Sequence, residues 1–485
     1  SLMNKMLMSE NLKHKMLGAL AWSSVDRVAQ QGTQFIIGII LARLLSPTDY
    51  GLMGMVMIFA TLSYVLVEGG LTAALVRTKN ITREHTNTVF YSNLIVSVSL
   101  YLLFFFTAPL IADFFNQKEL IPLIRVTNLA LIFNSLYIVP YGLIERNLDF
   151  KKLAKVNFIS TSISGVAGAI SAFYNAGVWA LVIQQTSYHL IRTVCFYIWQ
   201  RWLPNLIFSK KIFKEYASFS IHILSSNLLN VIFNNVYTFL LGKFYSAKQL
   251  GYYTQANKIA ETANFTFSAI FGKTSYNLFA QIHEEKERMI NAMRQMVQKS
   301  SLIVMPFTIF LIFAAYPIFF TLFGEKWFTS VPYFQLICTA NLLNCVYQIN
   351  NYALNSVGKS KKSLQVEIIK RCLIIISVVL CFQYGIMALL MGYVVSCVLS
   401  WFTSLIQVKR TIGMKIIYQL TDIVPTMLWS LIICYIGYLC GLSTENLYLK
   451  LIIQGSVSLI LYISVIFIFY KDMWEYILKF LKIKK

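Results

Sequence analysis

The chain has 485 residues, of which 57% are hydrophobic and 13% charged, and its mean hydropathy is +0.62. Soluble domains carry roughly 25% charged residues, so a soluble globular fold is excluded and lipid is the expected solvent. The formal charge of +22 would suit nucleic acid, but the basic residues fall in short clusters between apolar runs, the pattern of cytoplasmic membrane loops, and a nucleic-acid partner is excluded with it.

A crossing needs about 20 largely apolar residues. On that measure the sequence predicts an all-α polytopic membrane protein of fourteen spans. The first six lie near 17–42, 51–75, 87–111, 121–143, 154–174 and 177–199. The next six lie near 216–241, 252–276, 300–323, 331–355, 366–383 and 385–406, with two more near 422–441 and 449–470. Ahead of them, no short apolar stretch ends in a small-residue cleavage site, so no signal peptide is expected; Met8-Ser9-Glu10 is the expected natural start.

Span one carries Ser23, Asp26, Arg27, Gln30, Gln31 and Gln34, and Ser23, Arg27, Gln30 and Gln34 share one helix face. It closes on Leu41-Ala-Arg-Leu-Leu-Ser-Pro-Thr-Asp-Tyr-Gly51. Glu68 stands in span two before Gly69-Gly70, Arg125 near the outer end of span four, and Arg192 about two turns from the cytoplasmic end of span six. Span seven carries Ser226, Asn227, Asn230 and Asn234 and closes on Leu241-Gly-Lys-Phe-Tyr-Ser-Ala-Lys-Gln-Leu-Gly251, while span eight holds Lys258, Glu261 and Lys273.

Two of these stretches are copies. Leu41–Gly51 and Leu241–Gly251 match at an offset of 200, and the polar stripes upstream match in the same register. Gly177-Val-Trp-Ala-Leu-Val182 matches Gly385-Ile-Met-Ala-Leu-Leu390 at an offset of 208, as Ala108-Pro-Leu-Ile-Ala-Asp-Phe-Phe115 matches Tyr316-Pro-Ile-Phe-Phe-Thr-Leu-Phe323. Spans one to six thus repeat as spans seven to twelve. Six is even, so the repeats are parallel, related by an axis along the membrane normal. The expected organisation is a cytoplasmic segment 1–15, an N-lobe 16–214, a C-lobe 215–410, two further spans in 411–470 and a basic cytoplasmic tail 471–485. Alternate loops carry 31 and 6 basic residues, which places both termini in the cytoplasm.

Charge inside a bilayer costs about 2.5–3.5 kcal/mol on insertion scales, and such groups face a cavity or a partner. For Asp26 and Arg27 the alternatives are a cavity lining or a polar helix–helix contact. For Lys258 and Glu261 they are a cavity cation with its carboxylate or a mutually neutralised pair. Arg192 and Lys273 can snorkel, Arg125 can anchor at the interface, Glu68 can pack between helices, and Arg43 and Lys243 anchor the outer loops. Cations predominate, which favours an anionic substrate: Arg suits phosphate through bidentate contacts and Lys as a point charge. Asn and Gln amides suit sugar hydroxyls. Asp26, Glu68 and Glu261 are candidate carriers for proton or sodium coupling. The eight cysteines form no C-x-x-C pair and the five histidines are scattered, so free thiols, no metal and no other cofactor are expected.

The signature Leu41–Gly51 resembles that of Wzx-type polysaccharide flippases, members of the multidrug/oligosaccharidyl-lipid/polysaccharide (MOP) exporter superfamily. Glu68-Gly-Gly-Leu-Thr-Ala-Ala-Leu75, Ala108-Pro-Leu-Ile-Ala112, Gly177-Val-Trp-Ala-Leu181, Leu250-Gly-Tyr-Tyr253 and Phe323-Gly-Glu-Lys-Trp327 extend the resemblance over about 15–470. It implies two six-helix lobes working by alternating access. It implies movement of undecaprenyl-diphosphate-linked oligosaccharide across a bacterial inner membrane for surface polysaccharide, O-antigen or capsule, alongside glycosyltransferase and polymerase machinery. It also implies a cationic central cavity lined from Asp26, Arg27, Gln30, Gln34, Arg125, Arg192, Asn227, Asn230, Asn234, Lys258 and Glu261. Related lipid II flippases use basic residues on the first and eighth helices, which correspond to Arg27 and Lys258; Asn227 stands where a symmetric partner of Arg27 would be. A multidrug exporter of the same fold would want an acidic cavity instead, and an intramembrane glycan polymerase or ligase would want catalytic side chains on large outer loops, which are short here. No catalytic residue is assigned.

Overall fold

The computed structural model describes residues 22, 26–78, 80–282 and 284–469. Ser23, Lys79, His283, the segment 1–21 and the tail 470–485 lie outside the described residues, as do the side chains of residues 73, 222, 264–270 and 273, Lys273 and His222 among them.

Among the described residues the regular structure is helical throughout. The chain divides into two compact units, Ser1–Gly251 and Tyr252–Lys485. The first contains α1 (26–44), α2 (Pro47–Glu68), α3 (Leu71–Arg77), α4 (Arg83–Phe115), α5 (Leu120–Thr127), α6 (Leu129–Arg146), α7 (Phe150–Phe173), α8 (Trp179–Gln200), α9 (Lys210–Asn234) and α10 (Val236–Phe244). Helix α11 (Ala247–Ile282) begins in the first unit and continues into the second. There follow α12 (Lys286–Phe313), α13 (Ala315–Phe323), α14 (Ser330–Asn341), α15 (Asn344–Ser356), α16 (Ser360–Cys381), α17 (Ile386–Thr411), α18 (Ile416–Gly441) and α19 (Leu447–Phe469).

Among the described residues eight helical stretches are long and apolar enough to cross a membrane, one of them running through α5 and α6, or nine if the bent α9 counts as one. The physical reason that others fall short is instructive. Span six carries Gln184, Gln185, His189 and Arg192, span eight carries Lys258 and Glu261, α16 carries Lys361, Lys362, Glu367, Lys370 and Arg371, and span ten is broken between Asn341 and Asn344. The least apolar spans include those holding the candidate site residues. The charged stretch near 281–299 is helical, with only residues 283–285 between α11 and α12.

The repeat has a conformational basis. Ser46 caps α2 in a reciprocal box: the Asp49 amide donates to Ser46 Oγ at 3.3 Å and the Ser46 amide to Asp49 Oδ2 at 2.8 Å. At the start of α11 the Gln249 amide donates to Ser246 Oγ at 3.2 Å and the Ser246 amide to Gln249 Oε1 at 3.3 Å. The signature is thus a helix-capping device kept in both halves, with Gln replacing Asp. Asn116 (φ 54°) and Gly324 (φ 89°) end α4 and α13 with positive φ, and Gly177 (φ 56°) and Gly385 (φ 93°) precede α8 and α17. Each pair is 208 residues apart. Left-handed backbone favours glycine, which explains why both copies of the span-opening motif begin with it.

In the first unit α7 packs on α8, and α6 on α4 and α8, while α9 lies against α2, α3 and α4. In the second, α16 packs on α17, and α12 on α18, which carries α19. An ion pair with a buried carboxylate fastens α18 to α12: Arg294 donates from Nε and Nη2 to Asp422 at 2.9 and 2.8 Å, and Gln298 donates to the same carboxylate at 2.7 Å. Arg294 therefore has a structural role. Its bidentate, amide-supported geometry is the arrangement in which a carboxylate tolerates burial.

Candidate functional site

The first unit gathers membrane-embedded polar groups from five helices. Gly165 of α7 has no side chain to keep Ile37 of α1 away: a Cβ there would lie 2.0 Å from Ile37 Cδ1. That close approach brings the start of α1 beside α7, where the buried Asn157 donates from Nδ2 to both Asp26 oxygens at 3.3 and 3.1 Å. Asp26 thus takes up the polar helix–helix contact, while Arg27, the next residue, is exposed. Gln30 is half-buried and Gln34 exposed along the same helix.

The densest arrangement centres on Arg192 of α8. Its Nη1 donates to the Tyr137 hydroxyl at 3.2 Å, and its guanidinium carbon lies 4.7, 5.4, 5.7 and 5.6 Å from the ring centroids of Tyr137, Tyr141, Tyr188 and Phe196. Cation–π contact of this kind stabilises a desolvated guanidinium. Arg192 is half-buried and turned onto α6 rather than extended toward the membrane surface, so snorkelling does not describe it. The network continues: Tyr137 OH lies 3.1 Å from His189 Nδ1, His189 Nε2 lies 3.4 Å from Gln185 Nε2, and Gln185 reaches Tyr64 OH at 3.5 Å. The Tyr64 and His189 rings stack at 5.0 Å. Arg192 also interacts electrostatically with Asp26 and with Glu68, the last residue of α2. No carboxylate stands at ion-pair distance from it among the described residues.

The remaining predicted residues lie elsewhere. Arg125 donates from Nε to the Phe105 carbonyl at 3.2 Å and covers the Phe105 ring at 4.3 Å, so it is held on α4. Lys243 donates to the Phe114 carbonyl at 2.6 Å and sits over that ring. Asn227, Asn230 and Asn234 are exposed on α9. In α11 Glu261 accepts from Asn257 at 2.8 Å, and Lys258 is exposed with no ion-pair partner among the described residues. The mutually neutralised Lys258–Glu261 pair is therefore absent from this structure.

Sequence reasoning missed Tyr64, Tyr137, Tyr141, Asn157, Gln185, Tyr188 and His189. The available signal was spacing: Tyr64 and Glu68, Tyr137 and Tyr141, and Gln185, His189 and Arg192 each recur at one helical turn, on one face of an otherwise apolar span.

The chain matches the family described as "Polysaccharide biosynthesis protein" over residues 40–332. It is 24% identical to the teichuronic acid biosynthesis protein TuaB of Bacillus subtilis (strain 168), with 72% of this chain and 73% of that protein covered. It is 23% identical to the lipopolysaccharide biosynthesis protein WzxC of Escherichia coli (strain K12), with 83% of each covered. Among solved structures, the lipid II flippase MurJ in an inward closed conformation superposes with a TM-score of 0.77 at 16% identity, covering 93% of this chain and 99% of that one. The fold is that of a multi-pass membrane transporter. The chain belongs to the polysaccharide biosynthesis protein family.

Proposed function

We propose that this protein is a flippase that moves undecaprenyl-diphosphate-linked oligosaccharide from the cytoplasmic to the periplasmic leaflet by alternating access, with both termini cytoplasmic, fourteen crossings and two six-helix lobes. The observation that carries this reading is made in each unit by itself: Arg27 in the first and Lys258 in the second, both within spans predicted from the sequence, are exposed on their helices, with no ion-pair partner among the described residues. Unpaired charge at such depth is costly and marks a substrate path, and a diphosphate supplies the missing anions. Gln30, Gln34, Asn227, Asn230 and Asn234 offer amides to sugar hydroxyls along the path. Asp26, Glu68 and Glu261 are the carboxylates available for coupling to a proton or sodium gradient. No step makes or breaks a covalent bond.

Complementation of a strain lacking its own flippase tests this. Arg27→Ala and Lys258→Ala are expected to abolish surface glycan while the protein stays in the membrane at wild-type level. Normal export by both variants would overturn the cationic path.

A further inference from the structure

The embedded cations of the first unit are of two kinds. Arg27 is exposed beside Asp26, whereas Arg192 has its charge spread over four aromatic rings, gives Nη1 to Tyr137, and interacts electrostatically with Glu68 as well as with Asp26. A diphosphate brought to Arg192 would meet two carboxylates as well as one cation, and like charges set side by side oppose binding. The cluster is thus poorly suited to phosphate. What it presents is a different chemistry: the half-buried rings of Tyr141 and Tyr188, the half-buried Gln185 amide, and a guanidinium whose Nε is buried without a hydrogen-bond partner. Flat ring faces take up the apolar C–H face of a pyranose, and amide and guanidinium N–H groups donate to its hydroxyls. The Tyr137–His189–Gln185–Tyr64 network fixes these groups in place from three helices.

We propose that the cluster around Arg192 is a saccharide subsite, in which Tyr141 and Tyr188 stack on a sugar ring and Gln185 and Arg192 bind its hydroxyls, so that this cluster selects the glycan while separate cations hold the diphosphate. The inference rests on the flippase reading and assigns a different part of the same substrate to each group.

Two measurements on purified wild-type, Tyr188→Ala, Tyr141→Ala and Tyr188→Phe proteins test it. The first is transport in proteoliposomes of undecaprenyl diphosphate carrying oligosaccharide, compared with the undecorated lipid. The alanine variants are expected to raise the half-saturating concentration of the glycan lipid about five-fold relative to their effect on the undecorated lipid, the size expected for one lost aromatic contact. Tyr188→Phe, which keeps the ring, is expected to behave as wild type. The second is binding of the free oligosaccharide, released from its lipid, by saturation-transfer NMR, expected for wild type and lost in Tyr188→Ala. Equal effects on both lipids, or free-oligosaccharide binding unchanged in folded alanine variants, would overturn the subsite. Should wild type bind the free oligosaccharide yet transport neither lipid, the subsite stands and the flippase reading falls. An alanine variant that fails to fold is replaced by Gln185→Ala, for which the same outcomes are expected.

Discussion

A guanidinium in a membrane needs company, and the company it keeps tells what it is for. Arg192 keeps four rings and one hydroxyl, and Tyr137 is the member everything else leans on, since its hydroxyl meets both Arg192 and His189. Tyr137→Phe removes both contacts and leaves Arg192 Nη1 and the buried His189 ring short of a partner, which costs about 1–3 kcal/mol. Thermal unfolding in detergent is expected to show that loss for Tyr137→Phe and little change for Tyr188→Phe, whose hydroxyl is not part of the network; equal effects would mean that the hydroxyl contacts are incidental. At this scale the sequence was partly legible. The apolar runs placed Arg192, Asp26 and Glu68 inside predicted spans, but the pattern of one helix carries no information about which other helix it faces. Tyr137 and Arg192 are 55 residues apart, and nothing local connects them. The same blindness hid the Arg294–Asp422 pair, 128 residues apart.

At the scale of the element, the repeated signature turns out to be about how helices begin and how closely they pack. Ser46 and Ser246 cap their helices, and five residues on, Gly51 and Gly251 permit a reciprocal approach within the first unit. A Cβ on Gly51 would lie 1.7 Å from the Ala247 carbonyl oxygen, and one on Gly251 would lie 1.7 Å from the Pro47 carbonyl oxygen. Residues 47 and 247 are themselves equivalent in the repeat, so the two copies make the same contact in opposite directions. Small residues at such crossings let backbones approach closely. Ser46→Ala is expected to cost about 1 kcal/mol, as cap removal does. Gly51→Ala and Gly251→Ala are expected to cost more, because a backbone must move, whereas Gly455→Ala, which would meet only Phe310 at 3.8 Å, is expected to be close to neutral. Melting temperatures of the purified variants check the order; a Gly51→Ala protein as stable as wild type would show that the approach is loose. The duplication, the offsets and the polar stripe were all readable as text, because equal offsets need no structure to be seen. The capping role was readable too, from Ser-x-x-Asp and Ser-x-x-Gln, but the signature's position beside basic residues drew attention to anchoring instead.

The whole molecule was the most legible level, because membrane folds are governed by few and strong rules. Hydropathy set the class, and the duplication suggested two related halves. Charge alternation gives an expected orientation, with 31 basic residues in one set of predicted loops against 6 in the other. That asymmetry predicts that a fluorescent protein fused after Lys485 glows in the cytoplasm. A phosphatase inserted in the short link between α18 and α19, near Thr444, is expected to be active, since it would lie outside. The reverse pattern would invert the molecule and the direction of transport with it. What the sequence did not yield was the surroundings of its cations, since Arg27, Arg125, Arg192 and Lys258 look alike in a list of charges within predicted spans.

The central claim is that the available cations hold a lipid-linked diphosphate during its passage, and proteoliposome transport of fluorescent undecaprenyl-diphosphate oligosaccharide tests it most directly. Wild type is expected to move the lipid between leaflets, and Arg27→Ala and Lys258→Ala, folded and reconstituted to the same level, are expected to slow it about ten-fold or more, the effect of losing one charge-assisted hydrogen bond. Movement by both variants at the wild-type rate would contradict the account, as would a wild-type protein that leaves the lipid where it began.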